Sequence, residues 1–143
     1  MSLLRHSVLA GLAIAIVAVA PAHADTEKFK AELTGPGEVP PTPSKGTGSI
    51  EATFDTATKT LTWSGSYSGL TSPEVAAHFH GPAAPGVNAP VMVPVDAKES
   101  PFKGSATLTD AQAKAFADGM VYFNIHTTEH KPGEIRGQMT LEK

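Results

Sequence analysis

The sequence predicts a mainly β protein, an antiparallel β-sandwich with one short helix near residues 109–118. Three observations lead there. Apolar residues recur at every second position over short runs, which is the period of a half-buried strand. Those runs are separated by Gly and Pro, present 13 and 12 times in 143 residues, which break the chain into turns. Only one segment joins a helix-start signal to a run of strong helix formers.

The first element is not part of the fold. Arg5 and His6 precede an apolar run, Val8 to Ala20, interrupted only by Gly11, and Ala22-His23-Ala24 supplies small residues for a signal peptidase. Residues 1–24 are therefore expected to be a signal peptide and residues 25–143 the mature domain. The run is shorter than the ~20 apolar residues that span a bilayer. The expected product is periplasmic or secreted, with no membrane anchor after cleavage. No twin arginine precedes the run and no cysteine ends it, so neither the twin-arginine route nor a lipoprotein anchor is indicated.

Phe29, Ala31 and Leu33 alternate with charged residues in a first strand that stops at Gly35-Pro36-Gly37, and a Pro-rich connection runs from Glu38 to Lys45. Ile50, Ala52 and Phe54 share one face of a second strand. Leu61, Trp63, Gly65 and Tyr67 share one face of a third, and the turn Asp55 to Lys59 joins the two as a hairpin. In a fourth strand, Glu74 to His80, Val75, Ala77 and Phe79 point one way and Ala76, His78 and His80 the other. After the loop that opens Gly81-Pro82-Ala83-Ala84-Pro85-Gly86 come short strands at Val91–Val95 and Lys103–Leu108. Thr109 is a candidate N-cap with Gln112 three residues on, and Gly119 ends the helix. Val121, Phe123 and Ile125 then alternate with Tyr122, Asn124 and His126, and Ile135, Gly137, Met139 and Leu141 mark one last strand. The mature region reads as a single domain without repeats.

Composition excludes several functions. The chain has no cysteine, which removes thiolate zinc sites, iron–sulfur clusters and thiol catalysis. With 11 basic against 14 acidic residues, and Arg136 the only arginine after residue 24, it carries no nucleic-acid footprint and no polybasic membrane patch. No phosphate-binding Gly loop, Ser/His/Asp order or paired carboxylates at a recognisable spacing suggest catalysis.

The histidines carry the functional signal. His78, His80, His126 and His130 remain after cleavage. Residues i and i+2 of a strand point the same way ~6.6 Å apart, so His78 and His80 can converge on one ion. His126 has the matching parity on its own strand. If that strand lies within one or two places of the first, three imidazoles can meet around a metal, with a position left for water or a fourth ligand. Asn124 is a candidate supporting partner beside the site. His130, in the turn Glu129 to Gly133, is read as solvated, although a loop can deliver a fourth ligand, and Met92, Met120 and Met139 are read as core. Copper suits the compartment and the affinity order, with zinc second. Two plain alternatives stand beside this: the histidines are simply the polar side of half-buried strands, and Glu134 with Arg136 forms an ion pair tying the last strand to the sheet.

The segment Ala77-His78-Phe79-His80-Gly81-Pro82-Ala83-Ala84-Pro85-Gly86, then Tyr122-Phe123-Asn124-Ile125-His126-Thr127, then Gly133-Glu134-Ile135-Arg136-Gly137-Gln138, resembles the CHRD domain, named after chordin. The likeness extends to Gly35–Pro40 and Leu108–Gln112, and is that of a bacterial-type, single-domain exported member. The resemblance implies a secreted domain of Ig-like or superoxide-dismutase-like sandwich type. In chordin such domains belong to an extracellular antagonist of growth factors. All three histidines of the candidate site fall inside these motifs. Three functions follow as expectations: an exported protein that buffers, delivers or senses copper; an extracytoplasmic module that binds another protein or a glycan without metal; and, last, a dismutase-like copper enzyme, since superoxide dismutases also pair a β-sandwich with His-x-His.

Overall fold

A computed structural model describes residues 25–143, so the expected signal peptide lies outside the described residues. The strands are β1 (Thr26–Thr34), β2 (Thr47–Asp55), β3 (Thr60–Ser68), β4 (Glu74–His80), β5 (Val91–Val95), β6 (Phe102–Thr107), β7 (Tyr122–Thr127), β8 (Ile135–Gln138) and β9 (Thr140–Leu141), with helix α1 (Asp110–Ala117) between β6 and β7. The mainly antiparallel β class expected from the alternation is the one observed. The strands are hydrogen-bonded in one nine-stranded sheet of order β5-β4-β7-β8-β1-β2-β3-β6, with β9 on β1, and the sheet rolls until it is nearly closed. Among the described residues no helix is long and apolar enough to cross a membrane.

The alternation explains the packing. Phe29, Ala31 and Leu33 of β1 and Ile50, Ala52 and Phe54 of β2 all point into one core. Aromatic side chains from strands far apart in the sheet order meet inside it. Phe79 of β4 lies 5.4 Å from Trp63 of β3 and 5.0 Å from Phe123 of β7, and Phe102 of β6 stacks 5.8 Å from Phe123. These contacts draw the two ends of the rolled sheet together. The helix is capped as the sequence indicates: Thr109 Oγ1 accepts from Gln112 N, and Gln112 Oε1 accepts from Thr109 N. Its buried Phe116 packs 5.4 Å from both Phe29 and Phe79, so α1 covers the core while carrying the chain from β6 to β7.

Two details differ from the sequence expectation. The last strand is split. Residues 135–138 pair with β7, and 140–141 pair only with β1, because Met139 turns its N–H to Val121 O at 2.9 Å and buries its side chain in the core. Glu134 and Arg136 do not pair. Glu134 is fully buried at the end of β7, where it accepts hydrogen bonds from Ser44 Oγ (2.6 Å), Thr71 N (2.8 Å), Thr71 Oγ1 (3.0 Å) and Thr127 Oγ1 (2.7 Å). Burial alone would raise its pKa, but these bonds outweigh desolvation and hold the carboxyl below its ordinary value of 4.5. Its backbone carbonyl also accepts from Thr42 Oγ1 at 2.7 Å, so one residue ties the β1–β2 and β3–β4 loops to the end of β7. Arg136 serves the opposite face, described below.

Two outcomes test this core. Phe79→Ala should lower the unfolding free energy by about 3–5 kcal/mol in urea denaturation, the usual cost of an aromatic cavity. Because the folded carboxyl of Glu134 gives up its proton more readily than the unfolded one, its stabilisation is present above pH 4.5 and is lost as the pH falls through the depressed folded value. Glu134→Gln should therefore be the less stable protein at pH 7, with the gap to wild type narrowing below pH 4.5 in parallel melts.

Candidate functional site

The outer face of β4, β7 and β8 is polar yet enclosed. Antiparallel register places Ala76 opposite His126, His78 opposite Asn124 and His80 opposite Tyr122. On the other side of β7, Asn124 faces Arg136 and Tyr122 faces Gln138. One row across the sheet is thus His78-Asn124-Arg136 and the next His80-Tyr122-Gln138. Every residue of β7 except His126 is fully buried, because Phe123 and Ile125 fill the core while the loops on either side of the sheet cover Tyr122 and Asn124.

The loop after β4 is latched to this face by several bonds. Arg136 donates to Asn88 Oδ1 at 2.7 Å and to Val87 O at 2.8 Å, and its guanidinium lies 3.4 Å over the Tyr122 ring. Tyr122 stacks in turn on His80, with centroids 4.8 Å apart and planes 5° from parallel. The Tyr122 hydroxyl accepts from Ala89 N and donates to Ala89 O, both at 3.2 Å. Asn88 Nδ2 donates to Val39 O at 2.9 Å, joining the two covering loops.

His78, His80 and His126 come together as strand parity allows, since β7 is the immediate neighbour of β4. One ring nitrogen from each lies within 4.8 Å of the others. Two of the three tautomers are dictated by their partners. A carbonyl only accepts, so His80 Nδ1–H donates to Ala89 O (2.9 Å) and His126 Nδ1–H donates to Lys131 O (2.7 Å). In the neutral rings Nε2 then keeps its lone pair, the arrangement that carbonyl-anchored metal ligands use. His78 Nδ1 lies 3.1 Å from His126 Nε2, a contact that also serves as a direct hydrogen bond when His78 carries its proton on Nδ1. Burial, reinforced by the His126 and His80 rings, pushes His78 down to about 4. Burial is also the main force lowering His80, against hydrogen bonds that favour its charged form. Neutral imidazoles at neutral pH are the protonation state a metal requires.

His130 is not in the cluster. Its carbonyl closes the turn by accepting from Thr127 N and Gly133 N, and its side chain lines a groove of about 240 Å³ with Pro40, Pro132 and Glu38. Met139 is buried in the core, and Met92 and Met120 pack against it. Glu38 was not legible as a site residue: the sequence places it in a Pro-rich connection, where nothing marks it. It is 4 % exposed and accepts from Asn124 Nδ2 at 3.3 Å, a partner 86 positions away. Desolvation pushes its carboxyl up to about 7, opposed by the Asn124 bond and the Arg136 charge. The contact that buries it appears only in the fold: Gly133 has φ +136, and a Cβ there would collide with Glu38 Oε1.

The fold and this face define a mainly antiparallel β domain with a three-histidine cluster on an enclosed outer surface. The CHRD domain profile matches residues 29–139, and the chain belongs to the CHRD domain family. No curated protein and no solved structure shows significant similarity to it.

Gly133→Ala should cost about 2 kcal/mol or more in chemical denaturation, combining a left-handed backbone with pressure on Glu38 and Asn124. Gly119→Ala is the control. Gly119 also has positive φ (+70) but open space around its Cβ position, so it should cost only about 1–2 kcal/mol.

Proposed function

We propose that this protein works outside the cytoplasm, in a periplasm or secreted, and binds copper, with zinc second, through His78, His80 and His126 for buffering, delivery or sensing of the metal. The observation that supports this most is the pair of carbonyl-anchored tautomers. Ala89 O and Lys131 O fix the Nδ1 protons of His80 and His126, so Nε2 of each neutral ring keeps its lone pair, that of His126 3.1 Å from His78 Nδ1. A fold that used these histidines only as a polar strand face would gain nothing from bringing three ring nitrogens within 4.8 Å of one another. The cysteine-free composition makes imidazole the available strong donor for a transition metal. The export reading rests on residues 1–24, and the preference for copper rests on the affinity order and the compartment.

The competing reading is a structural or interaction role in which the direct His78–His126 contact of 3.1 Å simply joins β4 to β7. The two separate in one experiment. Titration of the mature protein with Cu(II) and Zn(II), followed by calorimetry, should show one equivalent bound. His80→Ala and His126→Ala should each weaken binding by about 100-fold or more. At a free-metal concentration 100 times Kd the wild type should gain about 2.7 kcal/mol of stability. Absence of stoichiometric binding, or binding that survives both substitutions, leaves the structural reading standing.

A further inference from the structure

Two buried polar atoms on the histidine face have no hydrogen-bond partner among the described residues: His80 Nε2 and Asn124 Oδ1. Both are acceptors. The ring proton of His80 is engaged by Ala89 O, and the Asn124 amide group turns its NH2 to Glu38 Oε1 at 3.3 Å, which leaves Oδ1 on the other side. Leaving buried acceptors unsatisfied is costly, and in the neutral ring, whose proton is on Nδ1, His80 Nε2 has no hydrogen to give to Asn124 Oδ1. A cation placed between them satisfies both.

The placement of Asn124 agrees with this. It is 2 % exposed, directly across from His78 in the β4–β7 ladder, and one step along the same face of β7 from His126. Glu38 holds the amide from behind, in a space that exists only because residue 133 has no Cβ. The other sources of a fourth ligand are engaged elsewhere: His130 lies in its own groove and the methionines belong to the core.

We propose that Asn124 Oδ1 is the fourth ligand of the site, completing a three-nitrogen, one-oxygen set with His78, His80 and His126 that selects a divalent ion, Cu(II) or Zn(II), over Cu(I). This deepens the metal reading above and rests on it. Cu(I) is held best by soft thiolate and thioether sulfur, whereas a neutral amide oxygen favours harder divalent ions. Glu38 acts as the positioning residue that aims the amide, in the manner of carboxylates that orient ligands from behind.

The test compares wild type, Asn124→Leu and Asn124→Asp, each confirmed folded without metal by circular dichroism and urea denaturation. Affinities for Cu(II), Zn(II) and Cu(I) are measured by competition, and the Cu(II) forms by electron paramagnetic resonance. Asn124→Leu should weaken Cu(II) and Zn(II) binding by about 10–100-fold, change the Cu(II) spectrum, and alter Cu(I) affinity less than about threefold. Asn124→Asp, which keeps an oxygen of the same reach, should bind divalent ions at least as tightly as wild type. It also carries the test if the leucine variant fails to fold. An unchanged Cu(II) spectrum and affinity in Asn124→Leu, equal losses for Cu(I) and the divalent ions, or an aspartate variant that binds divalent ions more weakly than wild type would each overturn the proposal. If the histidine variants lose metal while Asn124→Leu keeps it, only the role of Asn124 fails. If the wild type binds no metal, the three-histidine reading fails with it.

Discussion

The pairing of β4 with β7 is the constraint from which the rest of the structure follows. β7 is a six-residue strand buried on both faces, so it needs two different sets of neighbours at once. On the inside, Phe123 meets Phe79 and Phe102, which links strands from the two ends of the rolled sheet. On the outside, Tyr122, Asn124 and His126 require partners for their polar atoms, because a buried polar group without one is costly. A one-residue slip of this register would exchange the two sets and leave both unsatisfied. The same register that closes the core therefore also assembles the histidine cluster.

The outer face is stabilised by neutral and charge-dispersing contacts. Arg136, 3 % exposed, has no carboxylate bonded to it among the described residues. Its charge is spread over the Tyr122 ring, the Asn88 amide oxygen and a backbone carbonyl, with the buried Glu38 close enough to feel it. This stack clamps the loop that supplies Ala89 O, and Ala89 O sets the His80 tautomer. On the other side, the turn that supplies Lys131 O sets His126 and is followed at once by Gly133 and Glu134. The loops act as orienting scaffolds, and their anchoring to the sheet is what gives the imidazoles fixed directions. Glu134 does comparable work at the end of the core, where four donors replace the cation that a buried carboxylate usually needs.

Much of this was legible in the chain. The period-2 alternation located every strand of substance, Thr109 and Gln112 marked the helix start, and the parity of His78, His80 and His126 pointed to one shared face. The motifs around those histidines also carried the family resemblance. Local pattern misjudged residues whose partners are remote. Glu134 and Arg136 look like an ion pair two positions apart, but they diverge because Glu134 precedes β8 and joins Ser44, some 90 positions away in sequence. Glu38 looks like a loop residue in a Pro-rich connection and becomes a buried carboxyl only when the Gly133 turn closes over it.

The sequence by itself determined the β class, the inward and outward assignment of most strand residues, with Val75 and Leu141 exposed where alternation groups them with core residues, and the exclusion of cysteine chemistry, because these depend on alternation and composition within a few residues. Tertiary structure alone decided that β7 lies directly beside β4, that two carbonyls fix the proton positions on His80 and His126, and that the buried Asn124 oxygen is left without a partner. The physical reason is range. Side-chain parity is a property of the local backbone, whereas register, desolvation and the direction of a lone pair are set by groups that meet only after the chain has folded.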